Sequence, residues 1–465
     1  MIHQQNDRIA APATPLGTAA LAVIRTSGED CVHTLAALTD RPESIRRSPG
    51  GRLRRAMLVD PDSGRALDDV MLGVYRSPRS YTGEESVEIY CHGSIPGVQE
   101  ILALLYRKGF RAAEPGEFTM RAFLAGKIDL TRAEAVQEIV RSRTARGHEM
   151  ALHRLGGSVE EAINAVKTDL VNVMARVAVQ LDYPEEETGE IPLPPDQILA
   201  ARKALEQLAG SYRTGRLYQE GVRLALAGRT NAGKSSLFNA FLKEDRAIVS
   251  ATHGTTRDYI ESAIDLDGVP VTLYDTAGLR RTLEEIEGEG IRRTTQVLEA
   301  ADLVLYLVDG TEGLSGEDTD ILESLGWVRD RAVDRTEPPV PDRLVPVWNK
   351  TDDPRCKHAP AGFLPVSAVS LHGINTLVQT ILARVTPETR VAESTPVIDS
   401  LRQRDLLNRA VTALEEVERG LTRNVPIDAI ALDLQEAIHA LGEITGEVSS
   451  ADILDAVFNG FCVGK

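Results

Sequence analysis

Between residues 217 and 385 the chain carries short, almost purely apolar runs separated by loops and helix-length stretches: VRLALAG, VTLYDTAG, ADLVLYLVDG, LVPVWNK and GFLPVSA. Runs that are continuous rather than alternating suit strands covered on both faces, so this stretch predicts a parallel sheet with crossover helices. The first 119 residues have a different texture. LAVIRTSG (21–28), MLGVYR (71–76) and SVEIYCHG (86–93) read as strands ending in turn residues, and VQEILALLYRKG (98–109) as a helix closed by Gly109. From about Thr119 to Leu181 the pattern is helical. The acidic, proline-rich DYPEEETGEIPLPPD (182–196) breaks it, and another helical run follows. TEPPVPDR (336–343) reads as a surface loop. After about 395 the chain is helical again, through IDSLRQRDLLNRAVTALEEVERGL, IDAIALDLQEAIHALGEI and ADILDAVFNGF. The expected architecture is multidomain, α/β plus α. An N-terminal α+β domain spans 1–119, and a helical domain spans 120–216 and 386–465. A P-loop-type α/β domain (217–385) is inserted into the helical one, as is tolerated when the guest's termini lie close together.

Phosphate chemistry is written into the inserted segment. GRTNAGKS (228–235) fits G-x-x-x-x-G-K-[ST], follows a strand and opens a helix. Gly228 and Gly233 let backbone N–H groups point inward around a phosphate, along Asn231, Ala232 and on to Ser236. Lys234 reaches the outer phosphates and the Ser235 hydroxyl ligates Mg²⁺. In GTTRD (254–258), Thr256 completes the Mg²⁺ shell. DTAG (275–278) ends a strand. Asp275 stands behind the metal, Thr276 and Ala277 lead on, and the Gly278 N–H meets a γ-phosphate. NKTD (349–352: Asn349, Lys350, Thr351, Asp352) ends the next strand but one. A carboxylate such as Asp352 accepts two hydrogen bonds from the guanine edge that adenine cannot donate. Ser367, Ala368 and Val369 contact the base through backbone. In order, each after a strand, these pieces define a GTP-binding domain. Leu279 follows DTAG and cannot orient water. Glu284, Glu285, Glu287 and Glu289 are the nearby acidic candidates, and spacing does not choose among them.

Composition narrows the setting. At 465 residues the chain exceeds one hydrophobic core. No apolar stretch is long enough to cross a bilayer, and the start lacks a secretory pattern. No membrane is therefore expected as a partner, and the scatter of Cys31, Cys91, Cys356 and Cys462 suits a reducing cytoplasm. The net charge is −17. A wide nucleic-acid grip needs a basic face, and only local patches exist here, Arg52, Arg54 and Arg55, and Arg141, Arg143 and Arg146. They read as solvated faces, so a nucleic-acid substrate would be gripped largely by a partner.

With GRTNAGKS, GTTRD, DTAGL, NKTD, the N-terminal TPLG…IRTSG, YTGEESVEIYCHG, PGEFTMRAFLAGKIDLTRAEA and the terminal FCVGK in view, the whole chain resembles the bacterial and organellar tRNA-modification GTPases of the MnmE (TrmE) family. The resemblance implies an N-terminal folate-binding domain that dimerises, a helical domain and an inserted GTPase domain. It implies a homodimer working with a flavin (FAD) partner, MnmG or GidA. Together they place an aminomethyl or carboxymethylaminomethyl group on C5 of the wobble uridine (U34) of certain tRNAs, with a tetrahydrofolate derivative (5,10-methylene or 5-formyl) as one-carbon donor.

Residue by residue, Asn231 resembles the family's potassium ligand. The segment Ser250, Ala251, Thr252, His253, Gly254, Thr255, Thr256 resembles the rest of the potassium loop, with Ser250, Thr252 and Thr255 around K⁺. Glu287 aligns with the catalytic glutamate acting on the attacking water. The folate ligands fall on Arg25, Glu88, Lys127 and Lys465. The tail then reaches back to the folate pocket, Gly464 allowing a close approach. Cys462 lies either near the one-carbon chemistry or in the role of a small buried apolar residue. Departures are Val463 for isoleucine, Thr230 for proline, His253 in the potassium loop, and Thr18, Ala19 and Ala20 where glycines are common. The competing reading, a ribosome-assembly or regulatory GTPase switch, leaves the N-terminal domain and the FCVGK tail without a use.

Overall fold

The computed structural model describes residues 7–182, 193–243, 261–275, 297–327, 343–386, 395–423 and 425–465. The chain divides into two compact units, one of Met1–Gln137, Arg154–Leu205 and Leu406–Lys465, the other of Glu138–His153 and Glu206–Asp405.

In the first unit, β1 (Arg8–Pro12), β2 (Ala19–Ser27), β3 (Arg52–Val59), β4 (Ala66–Tyr75), β5 (Ser86–Gly93) and β6 (Phe110–Ala112) form one sheet in the order β3-β4-β5-β2-β1-β6. Every pairing is antiparallel except β1 with β6. Alternation along β5 shows how the sheet is used. Val87, Ile89 and Cys91 are buried, while Glu88, Tyr90 and His92 face the other way. The buried side is covered by helices Cys31–Ala36 and Ile95–Arg107. The longer helix presents Val98, Ile101, Leu104 and Leu105 at helical spacing to Ile24, Leu72 and Ile89. Its start is capped by Ser94, whose hydroxyl accepts from the Gly97 N–H. The opposite face stays open: Leu21 is 62%, Leu53 58% and Met71 38% exposed. Three expected strands and the helix before Gly109 are present. β1, β3 and β6 are additional.

The expected helical run from Thr119 to Leu181 is four helices, Glu117–Leu124, Leu130–Arg141, Ala145–Leu155 and Ser158–Asp182. Gly126 (φ +65°) and Gly157 (φ +103°) turn the chain between them in a conformation that side chains disfavour. The Ser158–Asp182 helix packs on Ile427–Thr445, and Phe458 and Phe461 of the terminal segment join Leu130, Ala133 and Phe123 in a separate core.

In the second unit, β7 (Val222–Ala227), β8 (Glu261–Leu266), β9 (Val269–Asp275), β10 (Leu303–Asp309), β11 (Leu344–Asn349) and β12 (Leu364–Pro365) run in the order β12-β11-β10-β7-β9-β8. All neighbours are parallel except β8 with β9. Both faces are covered. Leu303, Leu305 and Leu307 enter one core and Val304, Tyr306 and Val308 the other, which is why β10 reads as an unbroken apolar run. The GFLPV strand is cut to two residues at the sheet edge, where Pro365 can supply no N–H to a further ladder.

Candidate functional site

The carboxyl edge of the second sheet gathers the phosphate and base motifs, as expected for a doubly wound sheet. The loop from β7 to helix Lys234–Lys243 turns at Gly228 (φ +136°), Asn231 (φ +66°) and Gly233 (φ +95°). A Cβ on Gly228 would lie 2.3 Å from the Leu307 carbonyl oxygen, and one on Gly233 would lie 2.1 Å from Asn349 Nδ2. Both glycines are therefore required sterically as well as by φ. Lys234 is buried, its Nζ donating to the Gly228 and Arg229 carbonyls at 2.6 Å each. Its ammonium thus sits within the loop, where a phosphate would be held. Ser235 Oγ donates to Asp275 Oδ2 at 3.2 Å. A hydroxyl beside a carboxylate is an oxygen donor set that fits Mg²⁺. Ser236 follows on the exposed helix start.

Asn349 ties the phosphate loop to the base loop. Its Nδ2 donates to the Ala232 carbonyl at 2.8 Å, and its Oδ1 accepts from the Ala368 N–H at 3.2 Å. Ser367 Oγ donates to Asp352 Oδ1 at 2.6 Å and so aims that carboxylate. The Thr351 N–H donates to the Val366 carbonyl at 3.2 Å, and Val369 is 78% exposed beside the loop. Lys350, at φ +67°, donates to Asp309 Oδ2 at 2.5 Å. Burial works to raise the Asp309 carboxyl, but hydrogen bonds from Lys350 and Thr311 outweigh it and hold the group below its ordinary value. Asp309 was not foreseen, although its place at the end of β10, on the same sheet edge, was a signal. Ser250, Ala251, Thr252, His253, Gly254, Thr255, Thr256, Thr276, Ala277, Gly278, Leu279 and Glu287, with Glu284, Glu285 and Glu289, lie outside the described residues. Of the potassium ligands, only Asn231 is described.

A second cluster lies on the open face of the first sheet. Register places Arg25 of β2 opposite Glu88 of β5. Arg25 Nε and NH2 meet Glu88 Oε1 at 3.1 and 3.0 Å, and NH1 donates to the Gly464 carbonyl at 3.0 Å. The guanidinium carbon lies 5.6 Å from the centre of the Tyr81 ring and 5.8 Å from that of Phe118, within cation–π range of both. Tyr90 and Tyr75 donate to Glu88 Oε2 at 2.7 and 3.4 Å. Burial, then the neighbouring Glu88, pushes the Tyr90 phenol up.

The tail is seated by its glycine. Gly464 has φ +94°, and a Cβ there would lie 2.3 Å from the Pro12 carbonyl oxygen. Phe461 packs on Phe458 as a tilted pair with centroids 5.4 Å apart, and Gln137 donates to the Gly460 carbonyl. Lys465 is partly buried, and burial, then the Arg25 charge, pulls its amine below the ordinary value. Arg25, Glu88 and Lys465 thus converge. Lys127 bonds elsewhere, to the Pro78 carbonyl at 2.9 Å, on the loop that carries Tyr81. Cys462 is exposed, so it is not the buried apolar residue of one reading: the backbone turn that buries Phe461 and Gly464 leaves it outside. Where glycines were missed at Thr18, Ala19 and Ala20, Gly93 supplies the close approach, since its Cβ would lie 2.5 Å from the Ala19 carbonyl oxygen. Tyr75, Tyr81, Tyr90 and Phe118 were not foreseen. The Glu88–Tyr90 spacing, which puts both on one strand face, was the available signal.

Residues 130–462 match the family model of the MnmE helical domain, and residues 8–127 match that of the GTP-binding protein TrmE N-terminus. The tRNA modification GTPase MnmE of Treponema denticola is 42% identical over 478 residues, covering 100% of this chain and 99% of its own. That of Borrelia recurrentis is 38% identical over 469 residues, with 100% and 99% covered. That of Carboxydothermus hydrogenoformans is 36% identical over 474 residues, with 99% and 99% covered. Fold and phosphate site together define a P-loop GTP hydrolase, here one part of a multidomain chain. The chain belongs to the MnmE family of tRNA modification GTPases.

Proposed function

We propose that this chain hydrolyses GTP to gate the modification of C5 of the wobble uridine (U34) in certain tRNAs, forming an aminomethyl or carboxymethylaminomethyl group. It does so as a homodimer, in the cytoplasm, with a flavin (FAD) partner of the MnmG (GidA) type and a tetrahydrofolate derivative, in the 5,10-methylene or 5-formyl form. The observation that carries the reading is the coexistence of two built sites in one chain: a guanine and phosphate cradle around Lys234 and Asp352, and a separate cluster of Arg25, Glu88 and Lys465 reached by the tail.

In the cradle, Lys234 and the loop N–H groups would hold the outer phosphates, and Ser235, Thr256 and Asp275 would hold Mg²⁺, which would supply charge to neutralise them. Gly278 contacts the γ-phosphate, and Asp352, aimed by Ser367, reads the guanine edge. Asn231, Ser250, Thr252 and Thr255 would hold K⁺, which would supply the charge of an arginine finger, and Glu287 would act on the attacking water. GTP turnover is expected to be clearly faster in K⁺ than in Na⁺ at equal ionic strength. Equal rates remove the potassium assignment.

In the second cluster, Glu88 accepts N–H donors of a pterin edge, and Arg25, Lys127 and Lys465 meet carbonyl or carboxylate groups. The bound folate supplies a one-carbon unit. The open sheet face around Leu21, Leu53 and Met71 favours dimerisation, the lack of a disulfide at any cysteine favours a reducing compartment, and the charge of −17 favours tRNA binding shared with the partner. The deciding experiment is nucleoside analysis of tRNA from cells lacking this protein. Loss of the modified wobble uridine is expected, and an unchanged nucleoside profile rejects the function.

A further inference from the structure

An ionised carboxylate has about four in-plane acceptor positions, and all those of Glu88 are engaged. Oε1 meets Arg25 Nε at 3.1 Å and NH2 at 3.0 Å. Oε2 accepts from Tyr90 at 2.7 Å and from Tyr75 at 3.4 Å. A ligand that brings an N–H donor to Glu88 must therefore displace something, and the four contacts are not equal. The arginine contacts are charge-assisted, and the same guanidinium is pinned by the Gly464 carbonyl and by the Tyr81 and Phe118 rings. The Tyr90 bond is short. The Tyr75 bond is at the limit of a useful length.

Tyr75 also has somewhere else to go. Its hydroxyl and that of Tyr90 converge on the same Glu88 oxygen, and a phenol oxygen that donates its proton can still accept one. The β4 residue opposite Glu88 is Gly73. Both tyrosine rings lie over it, 3.4 and 3.5 Å from where its Cβ would be, with Leu53 Cδ2 at 3.6 Å, so the glycine itself puts no side chain beneath them.

We infer that Tyr75 is a displaceable donor and Tyr90 a fixed one: a ligand amino group takes the place of Tyr75 on Glu88 Oε2, and Tyr75 turns its proton to the Tyr90 oxygen. This rests on the reading of the cluster as a pteridine site. Before binding, Tyr75 keeps the half-buried carboxylate satisfied. After binding, no donor is stranded, so the exchange avoids the penalty of an unpaired polar group. Tyr90 is a positioning residue: it holds the carboxylate in the orientation the amino group meets. The site then selects for a 2-amino group on the pyrimidine half of the ligand.

The test uses the full-length chain and calorimetric titration with 5-formyltetrahydrofolate and with its 2-desamino analogue, for the wild type, Tyr75→Phe and Tyr90→Phe. Thermal melts establish that each variant is folded. The wild type is expected to prefer the amino form by about tenfold or more, the value of a hydrogen bond to a charged group. Tyr90→Phe weakens binding of the amino form and brings the preference close to one. Tyr75→Phe binds the amino form at least as tightly as the wild type and keeps the preference. A general structural loss would weaken both probes alike and leave their ratio unchanged. Weakened binding in Tyr75→Phe, or an unchanged preference in Tyr90→Phe, overturns the assigned roles. Equal wild-type binding of both probes overturns the Glu88 contact. Wild-type binding of neither probe rejects the pteridine reading itself, and the inference with it.

Discussion

Arg121 shows what a single residue does here that its neighbours in sequence do not announce. Its side chain is 9% exposed, and it reaches Asp7 Oδ1 at 2.5 Å, Glu117 Oε1 at 2.9 Å, Glu84 Oε2 at 3.1 Å and the Asp7 carbonyl at 2.9 Å. Glu117 is 3% exposed and is also gripped by Arg111. Burial works to raise its carboxyl, and Arg111, the Glu114 N–H and Arg121 together more than offset that. The network joins the start of β1, the loop before β5 and the Glu117–Leu124 helix, the elements that bring Tyr81 and Phe118 to Arg25. Breaking a buried pair by removing one partner costs about 3 kcal/mol, because charge is left uncompensated. Arg121→Met is therefore expected to lower the urea midpoint of the first unit's unfolding by a corresponding amount, and an unshifted midpoint contradicts this role. Within TMRAFLAGK nothing marks this arginine as buried, since Asp7 and Glu84 are distant in sequence. Gly228, Gly233 and Lys234 were legible for the opposite reason: their loop is closed largely by its own backbone.

At the scale of elements, legibility followed how much of the pattern each strand carries itself. β5 alternates from Val87 to Gly93, and β10 is apolar up to Asp309. β3 carries Arg52, Arg54 and Arg55, so it reads as a charged patch, yet Arg55 pairs with Asp69 on β4 and the strand is bonded along its length. Of the two patches expected as solvated faces, Arg52, Arg55, Arg141 and Arg143 are exposed, while Arg54 and Arg146 are partly buried. β1 and β6 are too short to show a period, and β6 joins the sheet by parallel pairing with β1 while Phe110 enters the core. The terminal helix Ala451–Phe458 and the segment after it act as one element. The Ser450 hydroxyl accepts from the Ile453 N–H, and Phe458 and Phe461 anchor the turn. Deleting the last four residues removes the Gly464 carbonyl from Arg25 and Lys465 from the cluster. Folate affinity is expected to fall by at least about tenfold, with GTP hydrolysis unchanged. Full folate affinity in the truncated chain would refute the role of Lys465.

At the scale of the whole molecule, the chain is two compact units, each assembled from separate stretches, and each carries one site. The sequence by itself determined the nucleotide cradle and its order along the chain, because each motif is a short segment fixed by its own strand end, glycine or helix start. It also determined which runs are buried on both faces and which alternate. The second cluster was legible only through the family resemblance, which named Arg25, Glu88, Lys127 and Lys465; the tertiary structure decided that Lys127 bonds elsewhere and that Tyr75, Tyr81, Tyr90 and Phe118 join the other three. Arg25, Glu88, Tyr75, Tyr90, Phe118 and Lys465 come from three strands, a helix and the far end of the chain. What brings them together is antiparallel register and the packing of Phe458 and Phe461, and contacts between residues hundreds of positions apart leave no periodic trace in sequence.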